Sequence, residues 1–162
     1  MKKSKGRHQH PILVAVDFSD DSEAALLWAI RHADNMKAGI ALLHVVHEPG
    51  DQPGFYKKDD KDLMRPLADI ARKMMRKFLK SVGKKAPKNK ALRRLDSLQV
   101  SGVPAKRIVE VAEKLNARLI VVGTQGRSEI ASLIIGSTAE QVVRLSPIPV
   151  VTVKSAQKKK KK

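Results

Sequence analysis

Short apolar runs alternate along the chain with longer stretches whose apolar residues recur every three or four positions. Ile12–Val16 is a continuous apolar run, as expected of a strand covered on both faces. After Asp17, the residues Ala24, Leu27 and Trp28 recur at helical spacing, and the pattern runs to about Met36 before Ala38-Gly39 closes it. Asp20 and Glu23 can form a capping box at its start, with Ser19 as the alternative cap. Ile40–Val46 is a second apolar run, so a strand–helix–strand unit is complete by residue 46. Pro49, Gly50, Pro53 and Gly54 mark a loop. Leu63, Leu67, Ile70, Met74, Phe78 and Val82, widened by Ala71 and Met75, predict a long amphipathic helix that Gly83 would stop.

The second half repeats the alternation. Leu92–Val100 holds a third strand, edge-like because Arg93, Arg94 and Asp96 interrupt it. Ser101-Gly102 reads as a turn, and Pro104 suits the first turn of a helix striped by Ile108, Val109, Ala112 and Leu115 and ending near Asn116. The apolar run Leu119–Val122 follows, then a glycine-rich stretch, a helix from about Ser137 to Leu145 and a last strand, Pro149–Val153. Pro147 and Pro149 put that strand at a sheet edge or a dimer contact, since proline cannot donate to a ladder. Five strands separated by helices predict a single α/β domain, a five-stranded parallel sheet flanked by helices.

Charge refines the picture more than composition does. The 162 residues carry a formal net charge of +17, with no cysteine and little aromatic content. The absence of cysteine excludes disulfides, thiolate catalysis and cysteine-based metal sites. Residues 1–10 hold Lys2, Lys3, Lys5 and Arg7 without an acid, and Lys154 and Lys158–Lys162 make residues 154–162 equally one-sided. Residues 55–95 hold fifteen Lys and Arg against four acids, so the rest of the chain is slightly acidic. The expected organisation is a basic disordered tail over 1–10, a folded domain over 11–154 and a lysine-rich tail over 155–162. No apolar run approaches the ~20 residues of a membrane span, and no signal peptide is evident, so the expected location is cytoplasmic.

The chemistry concentrates in residues 117–143. Leu119–Val122 ends at Gly123; Gly126 follows, and Gly136, Ser137 and Thr138 open the next helix. Glycine permits positive φ and close approach of a ligand to the main chain. A helix start offers free N–H groups and partial positive charge, which suit phosphate. Ser137 and Thr138 add hydroxyl donors. A carboxylate at the end of the first strand, Asp17, suits ribose hydroxyls.

This spacing, Gly-x2-Gly-x9-Gly-Ser, resembles the ATP-binding signature of the universal stress protein family. Pro11–Asp17 with Phe18-Ser19, Leu42–Val46 and Pro147–Val153 resemble that family's first, second and last strands, in its order, over residues 11–154. The resemblance implies a Rossmann-like fold, of the adenine nucleotide alpha hydrolase-like kind, and a nucleotide-dependent stress-response regulator. It implies that Gly123, Thr124, Gln125, Gly126 and Arg127 line ribose and phosphates, and that Gly136, Ser137, Thr138 and Ala139 hold phosphate oxygens. Asp17 would lie near adenine and ribose, Val45 would offer its main chain to the adenine edge, and Ala15 would pack near the base. Gln125 departs from the histidine of many relatives, which removes a titrating group but not a main-chain role. The implied ligand is ATP with Mg²⁺ on its phosphates, and the implied assembly a homodimer through the last strand.

No catalytic constellation emerges. Gly-x-Ser-x-Gly, His-Glu-x-x-His and the lysine-bearing phosphate loop are absent, which favours a sensor over an enzyme. His44 and His47 fall on opposite faces of a strand and make poor joint metal ligands, so no protein-held metal is expected. Two other readings remain open. One is a nucleotide-independent interaction protein using its basic surface on nucleic acid or acidic partners, non-specifically and with salt sensitivity. The other is a slow ATPase or autophosphorylating protein with Ser137 or Thr138 as acceptors.

Overall fold

The computed structural model describes residues 10–47, 66–87, 89–125 and 135–156. In chain order the elements are β1 (Ile12–Ala15), α1 (Asp20–Ala33), β2 (Ile40–Val46), α2 (Leu67–Lys85), α3 (Lys90–Arg93), β3 (Asp96–Ser101), α4 (Pro104–Lys114), β4 (Leu119–Gly123), α5 (Ser137–Leu145) and β5 (Val150–Val153). The strands form one sheet in the order β3-β2-β1-β4-β5, and all four pairings are parallel. The α/β expectation therefore holds. The sheet edges are β3 and β5, the two strands whose polar residues and prolines mark them as edges.

The alternation of side chains divides the core into two layers. Ile12, Val14 and Val16 of β1 and its end, Ile40 and Leu42 of β2, and Leu119 and Val121 of β4 face α1 and α2. Leu13, Ala15, Leu43, Val45, Ile120 and Val122 face α4 and α5. The inner strands are sealed from both sides, and Ile12, Leu13, Val14, Ile120 and Val121 are all at 0% exposure. Each such side chain contributes on the order of 1.5–3 kcal/mol of burial free energy.

Four local expectations need correction, and a fifth, the cap of α1, is decided between its two alternatives. The buried face of α1 is Ala25, Leu26, Ala29, Ile30 and Ala33; Ala24, Leu27 and Trp28 are only half-buried. The helix is apolar around most of its circumference, and its alanines allow the closer approach to the sheet. Its cap is Ser19, whose Oγ accepts from the Ser22 N–H at 3.2 Å. Glu23 instead pairs across to Lys85 and accepts from Ser81 on α2. The helix stops at Ala33, because Lys37 takes a left-handed φ of 48° and Ala38 N–H turns back to the Ala33 carbonyl. Gly83 does not stop α2, which runs on to Lys85. A side chain there would meet only Leu92 Cδ2, at 3.8 Å. Of the predicted third strand Leu92–Val100, the first two residues instead end the one-turn helix α3 (Lys90–Arg93), capped by Asn89, and β3 begins at Asp96. Leu63 of the predicted long helix lies outside the described residues.

Two glycine substitutions separate conformation from space. Gly123→Ala would push a Cβ to 2.8 Å from the Asp21 carbonyl carbon and Cβ, and should destabilise by about 1–3 kcal/mol in urea unfolding. Gly83→Ala meets ordinary contact in a helix interior and should stabilise by about 0.5–1 kcal/mol. A neutral Gly123→Ala would mean that α1 is not seated as closely on β4 as described.

Candidate functional site

The strand order makes β1 and β4 the central neighbours, with the chain winding outward from each. In open parallel sheets of this kind the crevice beyond the carboxyl ends of such strands receives the ligand. Three segments meet there: Val16–Ser19 after β1, Gly123–Gln125 after β4, and Gly136–Ala139 at the start of α5. The last two are joined directly, since the Gly136 N–H donates to the Thr124 carbonyl at 2.7 Å. The two glycine segments singled out in the sequence are therefore one place in the fold.

The turn after β1 is held in a strained shape. Phe18 adopts φ 67°, uncommon for a residue with a side chain. Its ring lies 4.4 Å from that of the buried His44 and 5.7 Å, edge-on, from that of Phe78. His44 donates from Nδ1 to the Val16 carbonyl at 2.8 Å, which fixes its tautomer. The turn presents Asp17, whose Oδ1 accepts from the Ser19 N–H at 3.0 Å and its Oγ at 2.5 Å.

Beside it sits a residue that the sequence pattern did not single out. Asp21, in the first turn of α1, is only 7% exposed. Its Oδ2 accepts from Thr124 Oγ1 at 2.6 Å and Gln125 N–H at 2.9 Å; its Oδ1 accepts from Ser155 N–H at 2.9 Å and Ser155 Oγ at 2.5 Å. Burial pushes this carboxyl up, but the bonds from Ser155, Thr124 and Gln125 together outweigh it and hold the carboxyl below its ordinary value. The helix start adds favourable partial charge. One carboxylate thus ties α1, the end of β4 and the segment after β5. A signal did exist: Asp21 precedes Ala25 by four residues, on the stripe that α1 buries. Nothing comparable marked Ser155.

The start of α5 carries no side-chain cap, and its first intrahelical bond is Glu140 N–H to the Gly136 carbonyl, at 3.0 Å. By helix geometry the N–H groups of Ser137, Thr138 and Ala139 have no acceptor within the helix. Ser137 and Thr138 are exposed; Ala139 is buried. Free amides, two hydroxyls and the end of a helix dipole form a donor set that fits phosphate oxygens.

The remaining candidates fall as follows. Ala15 ends β1 and Val45 lies within the neighbouring β2, both buried on the α4–α5 side, with Val45 two residues beyond Leu43, the register partner of Ala15. Thr124 and Gln125 lie in the crevice, with the Thr124 hydroxyl and the Gln125 N–H engaged by Asp21. Gly126 and Arg127 lie outside the described residues. Gly123 and Gly136 keep negative φ, so positive φ is not what either position requires; Gly123 is needed for the approach of Asp21, and among the described glycines the positive φ belongs to Gly102. His47 bonds through Nδ1 to the Val45 carbonyl at 3.2 Å, and the described residues assemble no group of three metal-capable side chains. A separate depression of about 460 Å³, lined by Ile40, Asp96, Lys114 and Asn116 among others, lies at the opposite end of the strands and includes none of the site residues.

The universal stress protein family model matches residues 9–154. The chain belongs to the universal stress protein family. It is 31% identical over 147 residues to a universal stress protein of Methanocaldococcus jannaschii, covering 91% of this chain and 83% of that one. It is 33% identical over 143 residues to one from Thermus aquaticus, covering 88% and 97%. Among solved structures, universal stress protein UspA from Lactobacillus plantarum superposes with a TM-score of 0.67 at 27% identity, over 90% of this chain and 97% of that one. At 24% and 23% identity the likeness is of fold alone, to a universal stress protein solved with cAMP and to one from Archaeoglobus fulgidus solved with dAMP. No helix among the described residues is long and apolar enough to cross a membrane.

Asp21 makes the acid response of this family member specific. Its folded pKa lies below the unfolded value of 3.8, so its contribution is complete above that value and lost as pH falls through the folded pKa. Asp21→Asn should destabilise at neutral pH by about 2–4 kcal/mol. The gap between the two proteins in urea midpoint should then narrow as pH falls below the unfolded value of 3.8 and on through the lower folded pKa, where the native carboxylate protonates. A gap constant from pH 7 to pH 2 would show that the charge of Asp21 contributes nothing.

Proposed function

We propose that this universal stress protein binds ATP, with Mg²⁺ carried on the phosphates, in the crevice between β1 and β4, and acts as a nucleotide-dependent regulator of a stress response. The observation that supports this reading best is the Gly136–Thr124 bond, which brings the bare start of α5 over the end of β4. Gly136, Ser137, Thr138 and Ala139 would hold phosphate oxygens. Gly123, Thr124, Gln125, Gly126 and Arg127 would line ribose and phosphates. Asp17, pinned through one oxygen by Ser19, keeps its other oxygen for ribose hydroxyls. Ala15 and Val45 would frame the adenine. The adenine nucleotides in two fold neighbours agree with the choice of base. The residues would hold and orient a nucleotide, and among the described ones none is arranged as a nucleophile with its base, which suits a sensor; its expected place is the cytoplasm.

Its assembly would be a homodimer through β5. That edge strand is mostly half-buried, and Val143 and Leu145 beside it are 50% and 53% exposed. An exposed edge flanked by apolar side chains suits pairing with a second copy.

Acid extraction of the purified protein should release adenine nucleotide, and titration should show ATP binding. Gly136→Val should reduce that affinity at least tenfold. The backbone at Gly136, φ −61° and ψ 148°, is one valine adopts readily, so the fold should survive, as a melting curve would verify. Unchanged affinity in a folded variant would overturn the reading. Val143→Glu with Leu145→Glu should convert the dimer to a monomer in sedimentation; an unaltered dimer would place the interface elsewhere.

A further inference from the structure

The outer face of α2 is a surface that the nucleotide reading does not use. We propose that it binds the phosphate backbone of duplex nucleic acid, without sequence preference and independently of the crevice. Arg76, Lys77, Lys80 and Lys84 are all exposed. At about 100° per residue they fall within roughly 100° of arc, opposite the buried side formed by Ala71, Met75, Phe78 and Val82. Arg72 and Lys73 extend the same stripe toward the helix start. At about 1.5 Å per residue it is roughly 18 Å long from Arg72 to Lys84. Among the described residues, the acids that meet α2 are Asp69, paired with Arg72, and Glu23, paired with Lys85. No acid among the described residues pairs with Arg76, Lys77, Lys80 or Lys84.

A local explanation covers only part of this. Lys84 and Lys85 complement the negative end of the helix dipole. Arg76, Lys77 and Lys80 sit mid-helix, where like charges three and four apart oppose helix formation. A polyanion would turn this repulsion into attraction.

The chemistry of the face selects the kind of polyanion. A protein partner would want an apolar or aromatic centre, and a membrane surface would want an apolar wedge among the cations. The large exposed apolar residues among those described are Val103, Ile135, Val143 and Leu145, none of them on α2. The aromatic side chain of the helix, Phe78, is buried, which leaves nothing on which unpaired bases could stack. A rigid row of charges without stacking groups matches a duplex backbone, whose affinity comes from release of counterions.

Salt titration of the full-length protein on a short mixed-sequence DNA duplex tests this. The triple substitution Arg76→Gln, Lys77→Gln, Lys80→Gln should flatten the slope of log K against log salt by about 2.7, at roughly 0.9 for each phosphate no longer neutralised. Arg76→Lys alone should leave the slope unchanged, because charge and not fork geometry is used. The triple variant should melt no lower than the parent, since like-charge repulsion is removed. Should it unfold, Lys77→Gln with Lys80→Gln should still flatten the slope by about 1.8. ATP should leave the slope unaffected, so failure of this proposal and failure of the nucleotide reading are separate results. An unaltered slope in the triple variant, retention abolished by deleting residues 157–162 alone, or tighter binding to phosphatidylserine vesicles than to duplex would each overturn it.

Discussion

Asp21 is a charge carried into the protein at the first turn of a helix, and the arrangement around the crevice depends on it. A buried carboxylate is costly unless every lone pair is used. Here four donors converge on it from two segments far apart in sequence, and the helix start supplies a fifth favourable interaction. The donors are as dependent on the carboxylate as it is on them, because Gln125 N–H and Ser155 N–H would otherwise be main-chain groups without acceptors in a half-buried place. The approach of Asp21 is possible because position 123 has no side chain. One acid, one glycine and one serine therefore set how the end of β4 and the segment after β5 sit on α1.

That constraint passes to the candidate nucleotide crevice through short links. Thr124 is held by Asp21 through its hydroxyl and receives Gly136 N–H on its carbonyl. Through Thr124, the start of α5 is thus positioned by Asp21, which itself touches no ligand in the proposed scheme. On the other side, Ser19 caps α1, pins Asp17 and reaches the Gln125 carbonyl at 3.4 Å. The strained Phe18 between them is supported by His44 and Phe78. Strain at a turn beside a ligand crevice is stored in the scaffold, and here the scaffold is the aromatic contact between the β1 turn, β2 and α2.

The two surfaces assigned functions obey different physics. In the proposed reading the crevice would work mainly through fixed donors, the free amides and hydroxyls at the start of α5, and so would discriminate by shape and geometry. The face of α2, as proposed, would work through solvated cations and so would discriminate only by charge density. They lie on elements that meet at the first turn of α1, where Glu23 joins Lys85 and Asp21 joins Ser155, the residue that leads into the lysine-rich tail. Lys85 at the end of α2 and Ser155 after β5, far apart in sequence, thereby both meet the first turn of α1.

What the sequence determined by itself was the order and type of the five strands and the four longer helices, α3 apart. The short apolar runs Ile12–Val16 and Leu119–Val122, and Ile40–Val46 broken only by His44, read as strands covered on both sides, and prolines and charges marked the edges β3 and β5. The glycine spacing, with its family likeness, pointed to the crevice. The tertiary structure decided what periodicity cannot rank: which face of the apolar helix α1 turns inward, whether Gly83 ends a helix, and why Gly123 is glycine. It also decided that Asp21 and Ser155 belong to the site's framework. Local pattern reports how a segment sorts between water and protein. It is silent on which distant donor meets a buried carboxylate, because that pairing exists only once the sheet has brought β4, β5 and α1 together.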